Sequence, residues 1–252
     1  MLYQTSGAGL PFIFQHGLGS SMQQGQALLG GLAGFKLISM DCPGHGKAPL
    51  PAGIQPSFAY YGEQIVHLMD QLQIEAAHFG GISMGSGISL WMAIHYPDRV
   101  QSLTLVRPAW LNEGHPANLQ MLLDVAEYQE DGRGQEAYEK RADYQAYRKA
   151  LPRAADSLMG LFADTQQAEM PLVLKNMVAD HPFPSFEALN KIQQPTLVIG
   201  NEDDPLHPLE MAKIIHKNIP NSYLKTVISR YIDNTKHSDQ VFDLVTKFLS
   251  SS

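Results

Sequence analysis

Short apolar runs with β-branched or aromatic members, each bounded by glycine or proline, alternate along this chain with amphipathic stretches of helix length. No other feature constrains the fold as much. The runs are Phe12 to Phe14, Phe35 to Met40, Ala76 to Phe79, Leu103 to Val106, Thr196 to Ile199 and Tyr223 to Ile228, and their length and composition predict strands. Between them lie Met22 to Leu32, Phe58 to Leu72, Met84 to Tyr96, Pro208 to Asn218 and His237 to Leu249. In the last of these, Val241, Leu244, Val245 and Phe248 recur at helical spacing and predict a packed face. Strands apolar on both faces, alternating with helices, imply a mostly parallel sheet covered on both sides, an α/β fold.

The alternation breaks once, between about residues 111 and 186, where no strand-like run occurs. So long a stretch cannot be a bare loop in a compact molecule. Residues 113–149 mix acidic and basic side chains as a solvated helix face does. Beyond them Leu158, Met159, Leu161, Phe162, Met170, Leu172, Leu174 and Met177 form an apolar half. The expected division is a core of residues 1–110 and 187–252 with an inserted helical cap, residues 111–186, whose apolar side covers a site. The 252-residue length suits one core with one insertion.

Composition narrows the function. Of the residues, 44% are hydrophobic and 17% charged, and 18 Lys+Arg against 25 Asp+Glu leave a net charge of −7. A core of ordinary size is therefore available, and no basic stripe exists to neutralise nucleic-acid phosphates. The single cysteine, Cys42, cannot form an intramolecular disulfide or a multi-Cys metal site, and it fits a reducing compartment. The first residues, Met-Leu-Tyr-Gln-Thr-Ser-Gly, have no cationic segment before an apolar one, and no run approaches the ~18 apolar residues of a membrane span. These features predict a soluble cytoplasmic chain with no nucleic-acid or membrane partner, and a monomer or homodimer with no cofactor or metal is expected.

The chemistry centres on Gly80-Gly81-Ile82-Ser83-Met84-Gly85-Ser86-Gly87, which sets G-x-S-x-G between a predicted strand and a predicted helix. In that context the turn is tight enough to strain the serine backbone, and glycines stand where a Cβ would collide. The Ser83 hydroxyl is lifted off the sheet edge, and the Met84 amide, at a helix start, points where an oxyanion would form. A nucleotide loop is disfavoured, because G-x-G-x-x-G and a following Lys-Ser/Thr are both missing. Cys42 has no positive group or elbow around it and is read as a small core filler.

With this motif the sequence resembles the α/β-hydrolase fold family, over nearly the whole chain outside the cap. Phe12-Ile13-Phe14-Gln15-His16-Gly17-Leu18-Gly19 is similar to the family's strand and His-Gly oxyanion loop, which implies Leu18 as the second amide donor. Asp41-Cys42-Pro43-Gly44-His45-Gly46-Lys47 is similar to the turn after the next strand, and Pro195 to Pro208 to the strand and loop bearing the acid. Loops of the form Asp-Pro-x-x-Pro favour Asp204 over its neighbour Asp203. For the base, His67, His78, His95 and His216 fall within or at the ends of elements, His16 and His45 in glycine motifs, and His207 in the acid's own loop, too near it in sequence to bridge to the serine. His237, after the last strand and the loop Ser229 to Lys236, is where the resemblance implies the base. Its surroundings, Asn-Thr-Lys-His-Ser-Asp, depart from the family's Gly-His-aromatic pattern, and capping or flanking the last helix is its other reading. Only Leu2 to Thr5 precedes the first turn, so one edge strand of the family is expected to be missing.

The implied triad is thus Ser83, Asp204 and His237, with Leu18 and Met84 as oxyanion donors and His16, Arg107 and Trp110 as candidate substrate-lining residues. Arg107 and Trp110 could equally anchor the cap. The implied reaction is hydrolysis of a carboxylic ester or lactone of a small, largely apolar substrate through an acyl-serine. Carbon–carbon bond hydrolysis or perhydrolysis by the same triad, and a small-molecule receptor with vestigial hydrolysis, are the alternatives.

Overall fold

The computed structural model describes residues 1–163 and 168–251. Seven strands form one sheet: β1 (Tyr3–Gly7), β2 (Leu10–Gln15), β3 (Phe35–Met40), β4 (Ala77–Ile82), β5 (Val100–Val106), β6 (Thr196–Asn201) and β7 (Ser222–Val227), in the order β1-β3-β2-β4-β5-β6-β7. Only β1 runs antiparallel, against β3, and all other pairings are parallel. This antiparallel edge strand takes up the segment ahead of the first turn.

Eleven α-helices are described: α1 (Gln23–Leu29), α2 (Phe58–Gln71), α3 (Met84–His95), α4 (Gln120–Glu130), α5 (Gly134–Glu139), α6 (Ala142–Ala150), α7 (Pro152–Ala163), α8 (Met170–Ala179), α9 (Phe186–Leu189), α10 (Leu209–Asn218) and α11 (Asn234–Leu249). Side-chain alternation in the strands feeds two apolar layers. Ile13, Phe79, Leu103 and Val198 pack with α2, α3 and α10 on one face. Phe12, Phe14, Leu37, Leu197 and Ile199 pack with α1 and α11 on the other. Strand β4 is buried at every residue because it lies between β2 and β5 with helices on both sides. Among the described residues no helix is long and apolar enough to cross a membrane.

Between β5 and β6 the described chain contains helices and no strand. Residues 164–167, inside the expected cap, lie outside the described residues. Helix α4 packs on α8 and α6 on α7. Asp180 ties this layer to the core by accepting from the Phe58 amide at the start of α2, at 2.7 Å. The Trp110 indole donates to the Met177 carbonyl at 2.9 Å, and the His115 amide to Val178 at 2.6 Å.

Sheet order positions the site. The chain leaves β2 toward β3 on one side and returns to β4 on the other, so the carboxyl ends of β2 and β4 flank the point where strand order reverses, where open α/β sheets hold ligands. Gln15 pairs with Gly81, which sets the His16–Leu18 loop beside Ser83. Val106 pairs with Ile199, which sets Arg107 beside the loop that follows β6.

Candidate active site

Ser83 leaves the end of β4 with φ +56° and ψ −110°, a conformation forced by the immediate switch from strand to α3. A Cβ on Gly81 would lie 2.3 Å from the Gly85 backbone, and one on Gly85 2.3 Å from the Gln15 carbonyl, so both positions require glycine. The Ser83 amide donates to the Val106 carbonyl at 2.9 Å, and Ser86 Oγ donates to the Gly81 carbonyl at 2.8 Å. These bonds fasten the elbow to β4 and β5. Met84 opens α3, so its amide has no acceptor within the helix.

The loop after β2 is held from below. His16 is fully buried, with Nδ1 donating to the Gly17 carbonyl at 2.8 Å and Nε2 accepting the Cys42 amide at 3.1 Å. Burial keeps this imidazole neutral by lowering its pKa. The Gly17 amide donates to Gln24 Oε1 at 2.8 Å. Asp41 accepts the amides of Met22 at 2.7 Å and Lys47 at 2.9 Å, which binds the turn after β3 to the segment before α1. Cys42 is fully buried, and burial, then the Asp41 charge, pushes its thiol far up, which suits a packing role.

A cavity of about 290 Å³ lies where these loops meet helices α4 and α7. Ser83, Leu18, Arg107, His207, Arg230 and Tyr231 line it, with Leu119, Leu122, Leu158, Leu161 and Leu206 supplying apolar wall. A Cβ on Gly19, which has φ +72°, would meet Leu161 at 2.4 Å, so α7 rests directly on the oxyanion loop.

Of the two neighbouring aspartates, Asp203 is exposed at φ +54° and lends its carbonyl to Ser229 Oγ, whereas the Asp204 carboxylate is wholly buried. Arg107 Nη1 lies 3.3 Å from Asp204 Oδ2, and His207 Nδ1 lies 2.9 Å from both carboxylate oxygens. Burial works against the ionised carboxylate, but His207 and Arg107 prevail through charge and hydrogen bonding and hold it well below the usual carboxylate range. Burial lowers the His207 pKa more than Asp204 raises it, and Arg107 and Arg230 lower it further. Arg107 has φ +50° and is 3% exposed, and its Nε has no partner among the described residues.

Among the described residues no hydrogen bond joins His237 to Asp204. Asp233 caps α11 by accepting the Lys236 amide at 3.0 Å, so the helix starts at Asn234, three residues before the His237 start expected from the sequence. On the helix, His237 Nδ1 donates to the Ile228 carbonyl at 2.7 Å, and the residue is absent from the cavity wall. Burial, Arg107 and Arg230 push its pKa down to about 4. His207, set aside in the sequence as too close to the acid, is the imidazole on the acid. The turn Asp204-Pro205-Leu206-His207, closed by the His207 amide donating to the Asp204 carbonyl at 3.0 Å, folds the ring back onto the carboxylate.

Among the substrate-lining candidates, Arg107 faces the cavity, whereas His16 and Trp110 do not. Trp110 is 2% exposed, stacks edge-on to Phe58 at 5.5 Å and anchors α8, the second role its position allowed. Arg230 and Tyr231 were not anticipated. Their signal was position, directly after the last strand, where the family pattern directs attention to a histidine.

The sequence matches the family model described as alpha/beta hydrolase fold over residues 11–243. It is 22% identical to 3-oxoadipate enol-lactonase 1 of Acinetobacter baylyi over 248 residues, covering 95% of this chain and 88% of that one. To 2-hydroxymuconate semialdehyde hydrolase of Pseudomonas putida it is 26% identical over 263 residues, covering 98% and 89%. The solved enol-lactonase of Burkholderia xenovorans is similar in fold, with a TM-score of 0.77 at 20% identity, covering 98% of this chain and 95% of that one. A parallel sheet with the His-Gly loop on β2 and the strained serine on β4, matched along almost its whole length, makes this chain a member of the α/β hydrolase fold family.

Proposed function

We propose that this chain hydrolyses a carboxylic ester or lactone of a small substrate through an acyl-enzyme on Ser83, with the Leu18 and Met84 amides stabilising the tetrahedral oxyanion. The observation that carries this reading is the Ser83 backbone at φ +56°, a strained conformation held by a residue that lines the cavity. Ser83 Oγ attacks the substrate carbonyl carbon while a histidine takes its proton, the leaving group departs with that proton, and water then releases the acyl group. Asp204 holds the charge that develops on the imidazole. Residues 111–186 act as a lid whose leucines cover the acyl portion, in keeping with a largely apolar substrate. The lone buried cysteine supports a reducing, cytoplasmic setting.

The test is hydrolysis of p-nitrophenyl esters of graded acyl length, lactones and β-diketones by wild type and Ser83→Ala. Wild type turns over repeatedly, and Ser83→Ala loses about 10³- to 10⁶-fold in kcat. Unchanged turnover in Ser83→Ala rejects the assignment. Similarity to a semialdehyde hydrolase supports carbon–carbon bond cleavage as a second reading, and selective turnover of the diketones in that panel favours it.

A further inference from the structure

We propose that His207, not the histidine after the last strand, is the general base of this site, carried by the same turn as its acid. The inference rests on Ser83 being the nucleophile. Four observations converge on it. His207 Nδ1 stands 2.9 Å from both oxygens of Asp204, a geometry that fixes the proton on Nδ1 and leaves the Nε2 lone pair free. His207 and Ser83 line the same cavity, whereas His237 does not line it. His237 Nδ1, the atom that would have to face the acid, is committed to the Ile228 carbonyl at 2.7 Å. The wall after the last strand is made by Arg230 and Tyr231, a guanidinium with no acceptor nitrogen and a phenol.

Asp204 can serve its neighbour because the acid loop is a closed turn. The His207 backbone amide donates to the Asp204 carbonyl at 3.0 Å and to Oδ1 at 3.3 Å. These bonds hold the imidazole over the carboxylate without help from another strand. Arg107 Nη1, at 3.3 Å from Asp204 Oδ2, helps keep the carboxylate ionised. The groups that bear charge on His207 are Asp204, Arg107 and Arg230. In the reaction, Nε2 accepts the Ser83 Oγ proton as Oγ bonds to the carbonyl carbon and the C=O electron pair moves to oxygen. The same proton passes to the leaving alkoxide as the C–O bond breaks. A water then gives its proton to Nε2 while its oxygen attacks the acyl-serine, and the proton returns to Ser83 Oγ on release.

The experiment compares His207→Gln, His207→Ala, His237→Gln and Ser83→Ala in the full chain, using p-nitrophenyl acetate turnover and the rate of covalent labelling by a fluorophosphonate. Urea midpoints check that each variant is folded. His207→Gln is expected to lose about 10²- to 10⁴-fold in kcat/KM, with labelling slowed in parallel, and added imidazole restores part of the lost rate in His207→Ala. The acid limb of the wild-type pH–rate profile falls below pH 6.5, since burial lowers the base, and is lost in His207→Gln. His237→Gln keeps kcat/KM within a few-fold. A folded His207→Gln with wild-type kcat/KM, or a His237→Gln that loses 10²-fold or more, overturns the proposal. A wild type that neither turns over nor labels, or whose labelling persists in Ser83→Ala, instead removes the reading of Ser83 beneath it.

Discussion

Two adjacent aspartates show how one residue's surroundings decide its part. Asp203 is exposed and Asp204 is buried between a guanidinium and an imidazole, although nothing in their side chains differs. Asp204→Asn leaves Arg107 buried beside a neutral amide and removes one acceptor from His207. Breaking a buried pair in this way costs about 3–5 kcal/mol, so its urea midpoint falls sharply and turnover falls with it. Asp203→Asn leaves stability within about 0.5 kcal/mol, because asparagine tolerates its φ of +54°. Equal losses from the two variants would contradict the assignment of Asp204. The proline spacing already pointed to Asp204 in the sequence. That His207 would close on it was not legible, because the bond arises from a turn that folds three residues back on themselves, and nearness in sequence had argued only against His207 bridging the acid to the serine.

At the scale of elements, strand positions were largely legible, and so were the helix starts apart from that of α11. The run Phe35 to Met40 forms β3 as predicted, and β4 continues from Phe79 through Ile82 into the elbow because Gly80 and Gly81 still pair with β5. The start of α11 was misread by three residues. Asp233 caps it, a signal hidden because the apolar periodicity begins only at Val241 while the first turn is entirely polar. The helix thus gains a turn before His237, whose Nδ1 bonds to the Ile228 carbonyl. Asp233→Ala therefore lowers stability by about 1 kcal/mol, read as a lower urea midpoint with unchanged m-value. A midpoint equal to wild type would show that the first turn does not depend on this cap.

For the whole molecule, the alternating pattern was enough to give a mostly parallel sheet, since each buried strand needs both faces covered. The order β1-β3-β2-β4-β5-β6-β7 was not legible, because strand adjacency is not written in local periodicity. Several histidines are folded into this body with pKa values lowered by burial: His16, His45, His78, His207 and His237. Each binds a proton more readily in the unfolded chain than in the folded one, so the unfolded state holds more protons below pH 6.5. Stability is then highest above that value and falls as pH drops, in the case of His237 through the window from 6.5 to about 4. Urea midpoints taken at pH 7 and pH 5 are expected to fall with pH, and by less in His237→Gln. A midpoint that rises on acidification would contradict the burial of these rings.

The claim beneath all of this is that Ser83 is a nucleophile, and its most direct test is to locate a fluorophosphonate adduct by peptide mass spectrometry. The expected result is one adduct per chain, on the peptide holding Gly81-Ile82-Ser83-Met84-Gly85, and its loss in Ser83→Ala. An adduct on any other residue, or none under conditions where the wild type hydrolyses an ester, would contradict it.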